Sequence, residues 1–212
     1  TSFVNTENAN SLVGDGRELD LLFQFDLMDM DGEGSKWNAI PLDVPKLKRI
    51  VAAWQGAIDW NTLFLGNHDQ PRVVSRFGDT SSEELWKRSA KCLATLMYLQ
   101  RGTPFIYQGE ELGMTNAPFE TREQLRDVEE LNLLALCSSE AELEWAWRGI
   151  KAKGRDNART PMQWSAGENA DFTTGEPWIM LNPNYTDINA EAEEGDPDSI
   201  LNYYRALIAL RN

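Results

Sequence analysis

The chain is poor in the residues that mark several common functional classes. It holds two cysteines and one histidine in 212 residues. Cys92 and Cys137 stand far apart, with no second thiol or histidine at metal-ligand spacing. That argues against a zinc site and a disulfide framework and makes buried packing the expectation for both. Positive charge is scarce too: 20 Lys and Arg face 34 Asp and Glu, a net charge of −14 that repels phosphate backbones and anionic lipid alike. Neither nucleic acid nor a membrane is expected as a partner. No apolar run approaches the ~20 residues that span a bilayer, and the opening residues lack the basic start and apolar run of a signal peptide. A cytoplasmic location is the expectation. What is present is 42% hydrophobic residues, enough for one good core and typical of a globular enzyme.

The elements follow a rhythm. Leu21-Leu22-Phe23-Gln24-Phe25 is an apolar run that stops at Asp26 and enters a turn-rich loop, a strand and then a loop. Asp43 and Pro45 open a helix in which Leu47, Ile50, Val51, Trp54 and Ile58 recur at helical spacing. A second strand is predicted over residues 63–65. Ser81-Ser82-Glu83-Glu84 then offers a capping box ahead of Leu85, Cys92, Leu93, Leu96 and Met97, a second helix. Gly102 stops it, and Pro104-Phe105-Ile106-Tyr107 makes a third strand. Such alternation implies a parallel sheet, because each strand is re-entered from the same end through a crossover helix. Looser helical pieces and turns follow, until Ile200, Tyr203, Tyr204, Leu207 and Ile208 line a closing helix. The fold class is α/β. Three strands do not close a barrel, so residues 1–212 read as one piece of a larger one.

Chemistry gathers at the strand ends. The second strand runs into Gly66-Asn67-His68-Asp69-Gln70-Pro71-Arg72, which contains the sole histidine. Asp69 can steady developing positive charge or act as a base, with His68 donating to substrate; the alternative is a His–Asp pair that satisfies a strand terminus. Arg72 either touches a ligand or, more in keeping with its place after Pro71, braces the loop by an ion pair. Glu110 and Glu111 close the third strand and could pair with Asp69 as two carboxylates for glycoside cleavage, though adjacent glutamates there more often cap or pair ions. Asp29-Met30-Asp31-Gly32-Glu33-Gly34 has the outline of a calcium loop, but Ile40 stands where the closing Glu must be, so no metal is expected. Arg155-Asp156-Asn157-Ala158-Arg159-Thr160 is rich in rigid donors that suit a neutral polyol, or equally a loop braced by its own ion pairs. Trp164 and Trp178 lie in loop sequence and are the exposed candidates for stacking on sugar; Trp54 and Trp86 lie in helices and are assigned to packing.

Taken together, the 66–72 stretch, Gly102-Thr103-Pro104-Phe105-Ile106-Tyr107-Gln108-Gly109-Glu110-Glu111 and Gly154-Arg155-Asp156-Asn157-Ala158-Arg159-Thr160-Pro161-Met162-Gln163-Trp164 resemble the α-amylase superfamily, glycoside hydrolase family thirteen. The similarity is nearest to its oligo-1,6-glucosidase and α-glucosidase branch. The resemblance implies a (β/α)8 TIM barrel whose strands six, seven and eight fall at residues 21–25, 63–65 and 105–107. It implies a retaining hydrolase of α-glucosidic bonds in short oligosaccharides, with no cofactor, in which Asp69 supports the transition state and His68 and Arg155 hold the same sugar. Trehalose-6-phosphate hydrolases, sucrose-isomerising enzymes and non-catalytic homologues share the fold. The family's nucleophile lies in a Gly-Phe-Arg-x-Asp stretch after strand four and its acid after strand five. Neither segment occurs in this chain, so the 212 residues alone are expected to be inactive.

Overall fold

A computed structural model describes residues 4–14 and 17–211. The first paired strands were not anticipated: β1 (Gly32–Glu33) and β2 (Ser35–Ala39) form an antiparallel hairpin. Helix α1 (Val44–Ala57) starts where expected, with the Asp43 carboxylate accepting from the Lys46 N–H at 2.9 Å and Pro45 in its first turn. Its Leu47 and Trp54 are buried. After β3 (Asn61–Leu63) and a short helix α2 (Val73–Phe77) comes the long helix α3 (Glu83–Tyr98). Ser82 alone caps α3, accepting from the Leu85 N–H, and Glu83 and Glu84 favour its positive end.

Strand β4 (Gly102–Pro104) pairs parallel with β3, Asn61 opposite Gly102 and Leu63 opposite Pro104. The strand–helix–strand crossover is thus present, with two boundary corrections. The ladder covers residues 61–63 and 102–104 rather than 63–65 and 104–107; residues 63–65 are nevertheless the most buried apolar run beneath it. Gly102 lies inside β4 because its φ of +148° and the Asn61 carbonyl, 2.2 Å from where a Cβ would stand, admit no side chain.

Residues 21–25 belong to no helix or strand and form no ladder. They are tied to β3 by a side chain instead, the Thr62 hydroxyl donating to the Leu22 carbonyl at 2.7 Å. Phe23 packs edge-on against Phe64 and Phe105, with centroids 5.0 and 4.7 Å apart. The predicted strand is in place as an apolar neighbour but not as a hydrogen-bonded one.

The rest of the chain adds α4 (Val128–Leu136), α5 (Glu140–Lys153), α6 (Ala190–Gly195) and α7 (Ile200–Arg211). The main core joins residues 63–65 to Trp86, Ala90, Leu93 and Met97 of α3 and to Ile200, Tyr204 and Leu207 of α7. This shows how the α3 face differs from the sequence reading. Its buried stripe runs through Trp86, Ala90, Leu93, Ala94 and Met97, whereas Cys92 is exposed, against the expectation of burial; Cys137 is half-buried, and both thiols are free. A second cluster around Phe119, Ala146 and Ile150 seats α5 on the hairpin. Gly149 permits that approach, since a Cβ there would stand 2.8 Å from the Trp37 carbonyl. Among the described residues no helix is long and apolar enough to cross a membrane.

Candidate functional site

The loop after β3 is held so that Asp69 projects from it. The Asn67 side chain accepts the Asp69 N–H at 2.8 Å, a local turn that fixes the backbone and leaves the carboxylate free to point outward. Its side chain keeps 45% exposure, and it meets three donors: His68 Nε2 at 3.3 Å, Arg159 Nη2 at 2.9 Å and Arg155 Nη1 at 3.4 Å. His68 is well exposed, and its carbonyl accepts from Arg159 Nε at 3.0 Å. Asp69 and His68 from one stretch of sequence and Arg155 from another are therefore one cluster.

Arg155 is aimed by a residue that the sequence did not single out. Asp127, the N-cap of α4, takes Arg155 Nε at 2.5 Å and Nη2 at 2.6 Å in a two-pronged grip, leaving Nη1 for Asp69. Burial pushes the Asp127 carboxyl up, but the bonded Arg155 guanidinium outweighs it and holds the group below the usual carboxylate range. Glu129 approaches Arg155 Nε at 3.4 Å and binds Lys36 of the hairpin at 2.5 Å. Asp127, Glu129 and Arg159 were missed because they pair with residues far along the chain. Only Arg159 left a signal, as the second arginine of the donor-rich loop.

Asp69 and Lys36 line a cavity of about 300 Å³ with Asp29, Ser35, Gln70 and Lys153, at the small end of the ~300–1,000 Å³ range of ligand pockets. A larger one, about 890 Å³, lies between α3 and the 184–196 segment and contains none of these groups. Its Asn116 and Asn184 are engaged by neighbouring protein atoms. Of the cluster, Asp69 alone lines the smaller cavity; His68, Arg155 and Arg159 do not.

Of the two readings of Arg72, the geometry favours the brace, against a ligand contact. Its guanidinium is buried and donates to the carbonyls of Asn157 and Gln108 at 3.0 and 2.6 Å and to the Thr160 hydroxyl at 3.3 Å. Burial lowers its pKa to about 10. It ties the 66–72 loop to the Arg155–Ala158 turn. Glu110 also turns inward: its Oε1 accepts from Tyr98 at 2.5 Å and Tyr204 at 2.9 Å, and burial raises its pKa to about 7. That sets Glu110 apart from the Asp69 cluster and disfavours the paired-carboxylate reading. Trp164 and Trp178 are exposed, while Trp54 and Trp86 are buried, as assigned.

The alpha amylase catalytic-domain family model matches residues 5–212. The chain belongs to that family. It is 49% identical over 204 residues to the probable oligo-1,6-glucosidase 2 of Bacillus subtilis, covering 93% of this chain and 36% of that protein. The trehalose-6-phosphate hydrolase of Bacillus licheniformis superposes with a TM-score of 0.93 at 45% identity, over 100% of this chain and 39% of that one. The trehalulose synthase MutB of Pseudomonas mesoacidophila MX-45 does so at 0.85 and 44%, over 91% and 35%. This chain thus spans little more than a third of the relatives it matches. The catalytic domain of the family is a TIM barrel, and this chain covers a fragment of it.

Proposed function

We propose that this chain carries the sugar-gripping half of a retaining α-glucosidase active site, acting on α-1,6 or α-1,4 bonds of short oligosaccharides. Residues 21–25, β3 and β4 are then strands six, seven and eight of the barrel. The exposed Phe23, Phe25 and Phe105 rings offer faces for further strands to cover. In this reading Asp69 supports the transition state. An oxocarbenium-like state distorts the pyranose ring, and a carboxylate gripping the ring hydroxyls favours the distorted form. His68 and Arg155 donate to the same sugar, and Arg72 keeps their loops in register.

The observation that carries the reading is the placement of Asp69, exposed on the loop after a parallel strand and met by two arginines from one turn. A non-catalytic homologue has no need of that arrangement. Substrate choice among isomaltose-like sugars, trehalose 6-phosphate and sucrose is the alternative within the enzyme reading, because an oligo-1,6-glucosidase is alike in sequence while a trehalose-6-phosphate hydrolase and MutB, solved with its substrate sucrose, superpose closely.

Without a nucleophile and acid the 212 residues cannot run a double displacement. We expect no p-nitrophenol release from p-nitrophenyl α-glucoside by this chain, and a ~10²–10³-fold loss of kcat/KM for Asp69→Asn in a protein that supplies the missing groups. Turnover by the 212 residues that Asp69→Asn abolishes would sink the proposal.

A further inference from the structure

Behind Arg155 lies a set of acids that the proposed chemistry does not use. Asp127, Glu130 and Asp156 are buried, with one carboxylate oxygen from each within 4.8 Å of the others. Asp127 gives both oxygens to Arg155. Asp156 Oδ2 accepts the N–H groups of Arg126 and Asp127 at 2.6 and 2.9 Å, and Glu130 Oε1 accepts that of Asp156 at 3.0 Å. Glu130 Oε2 and Asp156 Oδ1 have no partner.

The surrounding cations are engaged elsewhere. Lys36 is on Glu129, Arg159 is on Asp69 with its Nη1 also 3.6 Å from Asp127 Oδ2, and Arg126 Nε donates to the Trp178 carbonyl at 2.8 Å. A metal ion would sit against the guanidinium that already neutralises Asp127. Two ionised carboxylates in this space would repel each other and leave two buried oxygens unsatisfied. A proton on Glu130 removes one of the two charges and turns a buried oxygen that lacks a partner from an acceptor into a donor. Burial, with the carboxylates of Asp156 and Asp127 alongside, pushes the Glu130 group up to about 8.

Resting on the reading of Asp69 and Arg155 as a sugar grip, we propose that Glu130 is a neutral carboxylic acid beside Asp156, and that this proton positions Arg155 against Asp69. The path is short. Ionised Glu130 would set a second buried charge against Asp156, whose Oδ2 holds the amides of Arg126 and Asp127 and so sets Asp127 and the Arg155 fork. The packing is tight enough to transmit a shift, since a Cβ at Gly154 would stand 2.6 Å from Glu130 Oε1. Glu130 is thus a positioning residue.

The test is an NMR titration of the chain from about pH 5 to about pH 9, with carbon-13 in the Glu carboxyls and nitrogen-15 in the arginine side chains. The Arg155 Nε–H signal is assigned by its loss in Arg155→Lys. We expect the Glu130 carbon to titrate near pH 8 and the Arg155 signal to fade with the same midpoint. In Glu130→Gln, an uncharged isostere, the Arg155 signal should persist across the range. A Glu130 midpoint in the ordinary carboxylate range, or loss of the Arg155 signal at one pH in both proteins, overturns the proposal. Should Glu130→Gln not fold, the two wild-type midpoints must still coincide, and a mismatch overturns it equally. Calorimetry with maltose separates the two readings: coincident midpoints without sugar binding strike the sugar grip and leave the Glu130 proton standing.

Discussion

Asp31 and Asp69 are each met by a pair of Lys or Arg cations, and only the first is kept from water. Asp31 is buried and is bound by Arg76 through both Nε and Nη2 and by Lys153 at 2.5 Å, itself a buried lysine. Asp69 has Arg159 at 2.9 Å and Arg155 at 3.4 Å, a looser grip, and stands at 45% exposure. The first set locks the chain. Arg76 also reaches the Met28 carbonyl and, at 2.7 Å, Gln70, so one buried knot joins the 28–31 turn, α2, the end of α5 and the loop bearing Asp69. The second set is left partly solvated, and its charges are free to meet a ligand. The same ion types give a fastener in one place and a candidate site in the other, and burial is what separates them.

The largest effect should fall on the fastener. Asp31→Ala strands a guanidinium and an ammonium in the interior, and we expect a loss of ~3–5 kcal/mol in urea unfolding. Asp69→Ala removes a partner from cations that water can reach, and should cost under ~1 kcal/mol. Equal losses would erase the distinction between the two regions.

The comparison extends to pH. Burial, helped by nearby Arg76 and opposed by Asp31, lowers the Lys153 pKa from 10.5 to about 8. Below pH 8 folded and unfolded chains both carry that proton, and the full penalty for a buried ammonium is present. Between pH 8 and 10.5 only the unfolded chain holds it, so stability rises with pH through this window, by up to ~3 kcal/mol at ~1.4 kcal/mol per unit. Urea midpoints at the two ends should show the rise in the parent chain and in Asp69→Asn, and its absence in Lys153→Met. A rise that survives Lys153→Met would place the titrating group elsewhere.

The two regions also differ in how far they could be read from sequence. The Asp69 loop was legible because a strand ending in Asn67-His68-Asp69 is a local pattern, as was the Arg155–Arg159 loop. Trp54 was correctly packed by helical spacing, and Trp86 by its place in a helical segment. The knot was not legible. Asp31 was weighed only as part of a failed calcium loop, and its partners Arg76 and Lys153 lie 45 and 122 residues away. Asp127 and Glu130 were hidden for the same reason, sitting in a helix start that looks like ordinary capping. Residues 21–25 were placed correctly beside β3 but read as a strand, because an apolar run reports burial and says nothing of which backbone groups find partners. Cys92 was misplaced by its residue type, which favours burial, when the α3 stripe passes one position to its side.

The smallest effect concerns the boundary between the regions, where Arg155 touches both kinds of acid. Its Nε and Nη2 hold Asp127, whose side chain is 1% exposed, while Nη1 leans on the half-open Asp69. Lysine offers one ammonium in place of the fork and cannot satisfy both Asp127 oxygens, so Arg155→Lys should destabilise the chain by ~1–2 kcal/mol. Arg159→Lys keeps a charge near Asp69, where solvent completes whatever bonds are lost, and should change stability by no more than ~0.5 kcal/mol. Thermal unfolding of the two variants side by side measures the difference. If Arg159→Lys proved the costlier, the exposed carboxylate would be the anchor of this cluster and Asp127 its accessory, reversing the division of labour drawn from burial.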